Sequence, residues 1–251
     1  MALPQALLFD VDGTLADTER DGHRVAFNQA FQDADLDWNW TPEIYGELLT
    51  VAGGKERIQY FITTHNPAYP AQTDLAAWIA GLHKAKTQYY KALLAAGTIP
   101  LRPGVKRLIK AARDAGVRIA IATTTTPDNV YALLENALAP SSTDWFEVIA
   151  AGDVVPAKKP APDIYFYAME KMQLQPAECL AFEDSYNGVR SALQADLKTI
   201  VTLNDYTKEH DFTGAALVLS DMGEPDAPFA VISGSVGTSQ YLDLALIASM
   251  F

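Results

Sequence analysis

The sequence predicts an α/β fold: a doubly wound, mostly parallel sheet, interrupted after its first strand by an inserted block of helices. Three observations carry this. From residue 100 onward, short apolar runs alternate with helical patterns, the rhythm of a parallel sheet covered by helices on both faces. Several runs end in polar residues, as buried parallel strands do when their carboxyl edge carries a site. The region from Ala16 to Ile99 breaks the alternation and shows no strand pattern.

The strand candidates are, in order, "ALLFD", "RIAIATTTT", "FEVIAAGD", "CLAFED", "TIVTL" and "ALVLSD". Between them the helix candidates are "GVKRLIKAARDAG", stopped by Gly116, then "PDNVYALLENAL", "APDIYFYAMEKMQL" and "NGVRSALQAD". Within the insert, "RVAFNQAFQDA", "EIYGELL", "GKERIQYFITTH" and "LAAWIAGLHKAKTQYYKALLAAG" all read as helices, and Trp38, Trp40 and Tyr45 are expected in their small core. "LRPG", from Leu101 to Gly104, marks the return. The expected organisation is a Rossmann-like core from residues 1–15 and 100–251, with a helical cap domain over residues 16–99. The tail from about Gly223 is rich in Gly, Pro and Ser and is expected to be irregular, closed by a helix in "YLDLALIASM".

Composition narrows the function. The chain has 251 residues, 49% of them hydrophobic, enough to bury a sizeable core. A net charge of -12 argues against nucleic acid and anionic membranes as partners. It leaves open a phosphorylated small molecule held by a few local cations. The single Cys179 excludes an internal disulfide and reads as a buried core thiol, which fits a reducing compartment. No run approaches the ~18 apolar residues of a membrane span. The first strand starts so early that no targeting peptide is expected. A cytoplasmic location is expected, or the chloroplast stroma for a processed plant or algal protein, with the chain a monomer or weak oligomer.

The chemistry concentrates at strand ends. Asp10 and Asp12 close the first apolar run, and residues two apart on a strand share a side. Two anions that close need a cation or a shared proton. A calcium site or an exposed loop pair would also fit the pair alone. Thr123 to Thr126 end the second run, where a hydroxyl and the next helix's N–H groups suit a phosphate; Thr126 or Asp128 can also simply cap that helix. Lys158 and Lys159 precede Pro160, and alone would read as solvated. Glu183 and Asp184 end the fourth run and can complete an oxygen site for a hard cation such as Mg²⁺. Glu183 could instead pair with Lys159.

Taken in order, "DVDGT", the threonine after the second strand, "KKPAPDIY" and "FEDSYNGVRSA" resemble the motifs of the haloacid dehalogenase superfamily, over a span from Asp10 to about Thr202. The insert after the first motif resembles a C1-type cap. "LADTE", "LLTVAGGKERI", "HKAK", "ATTTTPDNV" and "AAGDVV" are similar to the CbbY group, phosphatases of sugar bisphosphates and notably of xylulose 1,5-bisphosphate, an inhibitor of Rubisco. The resemblance implies Mg²⁺-dependent hydrolysis through an aspartyl-phosphate. It makes Asp10 the nucleophile and Asp12 the general acid/base. It assigns the metal to Asp10, the main-chain carbonyl of Asp12 and Asp184, with Glu183 close behind. Thr123 and Lys159 would hold the transferring phosphoryl group. The cap would contact substrate through Glu19, the run Gly53, Gly54, Lys55, Glu56 and Arg57, and His83 with Lys86. Thr124, Thr125 and Asn129 would complete the pocket, and cap closure would exclude water.

One departure stands out. The family's cap-hinge histidine falls one residue late here, at His23, as if one residue were inserted before "HRVAF". A capping or surface role for His23 is then as well supported as a catalytic one. Two further activities share the core motifs: a β-phosphoglucomutase-like phosphotransferase and an inactive phosphosugar-binding sensor. A true haloacid dehalogenase lacks the second aspartate, so Asp12 argues against it.

Overall fold

The computed structural model describes residues 2–51 and 53–251. Its first strand, β1 (Ala6–Phe9), is buried along its whole length. A tight turn then leads to Asp17, where the chain leaves the first of two compact units for the second, Thr18–Ile99. The second unit opens with a π-helical turn, Thr18–His23, followed by α1 (Arg24–Asp33), α2 (Pro42–Leu48), α3 (Gly54–His65) and α4 (Leu75–Ala95). The chain rejoins the first unit at Pro100. There follow α5 (Val105–Asp114), β2 (Arg118–Thr123), α6 (Pro127–Leu133), β3 (Val148–Ala151), α7 (Asp163–Met172), β4 (Cys179–Glu183), α8 (Tyr186–Gln194), β5 (Lys198–Thr202), β6 (Leu217–Leu219), β7 (Val231–Ser233) and α9 (Leu244–Ala248).

The strands form one sheet in the order β3-β2-β1-β4-β5-β6-β7. All neighbours are parallel except β6 and β7. The winding reverses at β1: β2 and β3 extend the sheet to one side, and β4 starts the other. The crevice beyond the carboxyl ends of β1 and β4 is therefore the topological switch point, where such sheets place their ligands. Helices cover these central strands on both faces, which is why β1, β2 and β4 are apolar at nearly every position rather than alternating. On α5 the buried residues are Val105, Leu108, Ile109 and Ala112, the i, i+3, i+4, i+7 stripe of a helix lying on a sheet. Cys179 is fully buried and starts β4.

Among the described residues, the regular elements of the second unit are all helices. Its core is aromatic. Trp40 is fully buried, with Phe27 at 4.5 Å and Phe31 at 4.9 Å between ring centroids. Trp38 packs edge-on against Phe31 and Phe61. Asp74 caps α4 by accepting from the Ala77 N–H at 2.9 Å, and Thr41 caps α2 through the Ile44 N–H. No helix among the described residues is long and apolar enough to cross a membrane.

The structure corrects three expectations. The tail is not wholly irregular: β7 pairs antiparallel with β6 inside it, and Arg107 pins the tail by donating to Glu224 Oε2, Leu242 O and Gly223 O. The closing helix is one and a half turns, not the full apolar run, because only Leu246 and Ile247 of α9 reach the core. Thr126 stands at the cap position of α6 but its side chain accepts no capping bond.

Candidate active site

β1 stops at Phe9, one residue before the first aspartate. The Asp10 N–H still bonds to Phe182 O at 3.0 Å, so Asp10 stays in the ladder beside β4. With Phe9 opposite Phe182, the next residue on each strand is Asp10 and Glu183, and Asp184 follows. This register brings carboxylate oxygens of Asp10, Glu183 and Asp184 within 4.8 Å of one another, all three residues buried.

A cation sits among them. Lys159 Nζ donates to Asp10 Oδ1 at 2.7 Å and to Glu183 Oε1 at 2.6 Å, with only 7% of the side chain exposed. Tyr165, fully buried on α7, donates its hydroxyl to the same Glu183 oxygen at 2.5 Å. Lys159 is joined to Pro160 by a cis peptide. Burial drives the Glu183 carboxyl up to about 7, against the pull of Lys159. Asp184 is pushed well above the usual aspartate range, by burial first and then by the charges of Asp10 and Glu183. Burial works against the Lys159 ammonium, but Asp10 and Glu183 outweigh it and hold the group charged. The site is thus short of positive charge: one buried lysine faces three carboxyl groups.

The donor set fits a hard divalent cation. Its oxygens are already gathered, and Glu183 Oε2 is buried without a hydrogen-bond partner. That oxygen fills the space where a Cβ at position 188 would stand, so any larger residue there would displace the carboxylate. A carboxylate cluster of this kind suits Mg²⁺, which takes few carboxylates and keeps other oxygens.

Asp12 is half-buried in the turn after β1. Here the strand argument for Asp10 and Asp12 sharing a side gives way to turn geometry, since both lie beyond the strand's last residue. The turn is set by Gly13, at φ +87°, whose N–H bonds to Ala16 O at 2.8 Å. A Cβ on Gly13 would run into Asp184 Oδ2 and Asn204 Nδ2, so the turn lies directly against the acidic cluster. Asn204, just after β5, donates to Asp184 Oδ2 at 2.6 Å.

Thr123 ends β2 and is buried; its Oγ1 accepts from the Thr125 N–H at 3.3 Å. With Phe9 opposite Ile121, Thr123 lies alongside the segment that carries Asp10. Thr124 is exposed, while Thr125 and Asn129 are half-buried and meet at 3.5 Å. Lys158 points away and pairs with the exposed Asp153.

The second unit gathers its own polar group. Tyr45 is wholly buried against Phe27 and Trp40, as expected of a core residue, but its hydroxyl donates to Glu19 Oε2 at 2.5 Å and accepts from Arg57 Nη1 at 2.9 Å. Arg57 Nε also holds Val51 O, fixing the segment before α3. Gly53 and Gly54 start α3, the His83 ring packs on Gly54, and the Glu56 side chain folds back over Gly53. Lys55 is exposed.

His23 is neither a cap nor a surface residue. Its side chain makes no capping bond; it stacks on Tyr90 at 3.9 Å and meets Lys86 Nζ at 2.7 Å through Nδ1. An ammonium only donates, so Nδ1 accepts and the ring proton sits on Nε2. Burial first, then the charges of Lys86, Arg57 and His83, hold His23 well below the ordinary histidine pKa. The one-residue offset before His23 coincides with the π-helical turn Thr18–His23. A π turn holds one more residue per hydrogen-bonded loop than an α turn.

Sequence reasoning missed Tyr165, Asn204 and the hydroxyl of Tyr45 as site groups. Asn204 carried the same signal as Asp10, a polar residue just past an apolar strand. Tyr165 lies within "KKPAPDIY", at the start of α7 and after Lys159, with nothing in its spacing to show where the hydroxyl points.

Comparison with known proteins agrees with this geometry. The family model for haloacid dehalogenase-like hydrolases matches residues 4–196. The plasmid-borne protein CbbY of Cupriavidus necator is 45% identical over 227 residues, covering 89% of this chain and 88% of its own. Among solved structures, a point mutant of CbbY of Rhodobacter sphaeroides in complex with xylulose-(1,5)bisphosphate superposes with a TM-score of 0.73 at 45% identity, covering 87% of this chain and 95% of that one. CbbY of the same organism solved with phosphate gives the same figures.

Proposed function

This chain belongs to the haloacid dehalogenase-like hydrolases, and from that premise we propose that it is a phosphatase of sugar bisphosphates, with xylulose 1,5-bisphosphate as substrate and Asp10 as nucleophile. The observation that carries the reading is the placement of Lys159 between Asp10 and Glu183 at the switch point, with Asp184 completing the carboxylate group. CbbY supplies the substrate class, since its solved complex holds xylulose-(1,5)bisphosphate.

In this mechanism an Asp10 carboxylate oxygen attacks phosphorus in line. The bond from phosphorus to the sugar oxygen breaks, and Asp12 gives that oxygen a proton. Asp12 then takes a proton from the water that attacks the phosphorylated Asp10, releasing phosphate and restoring the carboxylate. Lys159 and the Thr123 hydroxyl hold phosphoryl oxygens as charge shifts onto them. Glu183 and Tyr165 keep Lys159 in place. Asp10, Asp184 and the Asp12 carbonyl would hold Mg²⁺, whose positive charge, when bound, offsets that of the phosphoryl group and the carboxylates. In the second unit, Lys55, Arg57, His83 and Lys86 provide the cationic and donor groups for a second phosphate, Arg57 with a planar fork suited to its oxygens. Glu19, oriented by Tyr45, offers an acceptor for sugar hydroxyls.

A phosphatase screen with Mg²⁺ tests the reading. Ketose and aldose bisphosphates are compared with their monophosphates, with products followed by phosphate release and by sugar analysis. Preference for a bisphosphate with release of one phosphate supports it. Preference for monophosphates, or isomerisation of a sugar monophosphate, contradicts it.

A further inference from the structure

Arg102 takes no part in the chemistry above, yet it stands where the two linkers of the first unit meet. Asp17 is the last residue before the chain leaves that unit, and Pro100 is the first on its return. Leu101 bridges to Ala16, and the Arg102 N–H bonds to Leu15 O at 2.8 Å, so the outgoing and returning segments pair. Arg102 is buried, with 8% of the residue exposed.

Every donor of the guanidinium is used. Nε pairs with Asp17 Oδ1 at 3.3 Å. Nη1 donates to Gly13 O, and to both Thr202 O and Thr202 Oγ1 at 3.1 Å. Nη2 donates to Leu203 O and to Ser220 O at 3.0 Å. A buried arginine needs such acceptors to offset its desolvation. Which acceptors they are is what matters here. Gly13 follows Asp12 directly, and Leu203 precedes Asn204, the residue that holds Asp184. On its other side Gly13 packs against Asp184 and Asn204 themselves. One planar group thus ties the turn carrying Asp12 to the loop that orients Asp184.

We propose that Arg102 is a positioning residue for the reaction: it fixes the Asp12–Gly13 turn against the Asn204 loop, and so aims the Asp12 carboxyl at the leaving oxygen. The proposal rests on the phosphatase reading in which Asp12 is the acid. Lysine cannot replace it, because three donors on one nitrogen do not span acceptors on three segments as a planar fork does.

The test compares kcat/KM for two esters, a sugar phosphate and p-nitrophenyl phosphate. A sugar alkoxide needs a proton to leave and a nitrophenolate does not, so a misplaced acid harms only the first. kcat/KM reports the steps through departure of the leaving group, before the common hydrolysis of the phosphoenzyme. Arg102→Lys is expected to lose at least about 10-fold more on the sugar phosphate than on the aryl ester, part of the roughly 10²–10⁴ a positioned acid supplies. Equal losses on both esters would show a plain structural brace and overturn the proposal. If Arg102→Lys does not fold, Asp17→Asn serves: it keeps the carbonyl contacts of the guanidinium and weakens the Nε pair, and is expected to show the same selectivity, smaller. Equal losses in Asp17→Asn overturn the proposal as well. Asp12→Asn calibrates the assay. If it is selective and Arg102→Lys is not, the positioning role fails alone; if Asp12→Asn is itself unselective, the acid assignment fails and takes the Arg102 role with it.

Discussion

Replacing Lys159 with Met keeps an unbranched side chain one atom shorter and removes its charge. The ammonium holds Asp10 at 2.7 Å and Glu183 at 2.6 Å in a site that is almost closed to water. Removing one partner of a buried ion pair costs about 3–5 kcal/mol, because the remaining charge has no compensation. Protonation limits that cost. Glu183 already titrates up to about 7 through burial, with Lys159 lowering it, so in the variant its pKa rises further. A carboxyl whose folded pKa lies above its unfolded value of about 4.3 destabilises the fold increasingly as pH rises between the two values, by about 1.36 kcal/mol per unit. Wild type and variant share that loss up to about pH 7, where the wild-type carboxyl has ionised, so the deficit of Lys159→Met is level from about pH 5 to 7 and grows above about pH 7. Urea unfolding of both proteins, followed by circular dichroism in a chelating buffer at each pH, measures it. Turnover falls about 10²–10³-fold, the cost of losing one donor to a charged transition state. A deficit that does not change with pH, or turnover within about threefold of wild type, would refute the electrostatic reading of Lys159.

Other consequences follow from the same geometry. Gly13→Ala forces a Cβ into Asp184 and Asn204 at φ +87°, so it is expected to weaken Mg²⁺ binding, measured by calorimetry without substrate, and to cost stability by about 1–2 kcal/mol or more. His23 is held below its ordinary pKa of 6.5; the unfolded chain takes up that proton first, so stability is full above about pH 6.5 and falls as pH drops below it. His23→Gln keeps an acceptor for Lys86 and removes the titration, and its melting temperature is expected to fall less steeply with acid than that of the wild type. Tyr165→Phe removes one of the two donors to Glu183 Oε1; kcat is expected to drop about 10–150-fold, matching a hydrogen bond to a charged group of about 1.5–3 kcal/mol, with KM little changed.

Much of this fold was legible because its signals are local. Buried parallel strands read as apolar runs, and polar residues at their ends mark the carboxyl edge. Asp10, Thr123 and Asp184 were visible for that reason alone. β7 was not visible: Val231–Ser233 is short and exposed, lies at the sheet's edge, and is set among Gly, Pro and Ser, so nothing in its pattern separates it from a loop. Lys159 looked like an ordinary surface lysine, and only the packing of its segment beside β4 makes it a buried cation. The His23 contact with Lys86 joins residues 63 apart in sequence, and its apparent misplacement is absorbed by a π turn that no residue pattern announces. Arg102 was invisible as a site group for a similar reason. Its partners lie on three separate segments, and only the crossing of the linkers brings them within reach of one side chain.

The central claim is that turnover passes through phosphorylated Asp10. Acid quench of the enzyme with ³²P-labelled sugar bisphosphate and Mg²⁺, followed by peptide mapping, tests it most directly. The account predicts label on the peptide that contains Asp10, acid-stable and hydroxylamine-labile as an acyl phosphate is, and none in Asp10→Asn, which also turns over no substrate while remaining folded. Phosphate release with no labelled protein at any quench time, or label on a different residue, would contradict it.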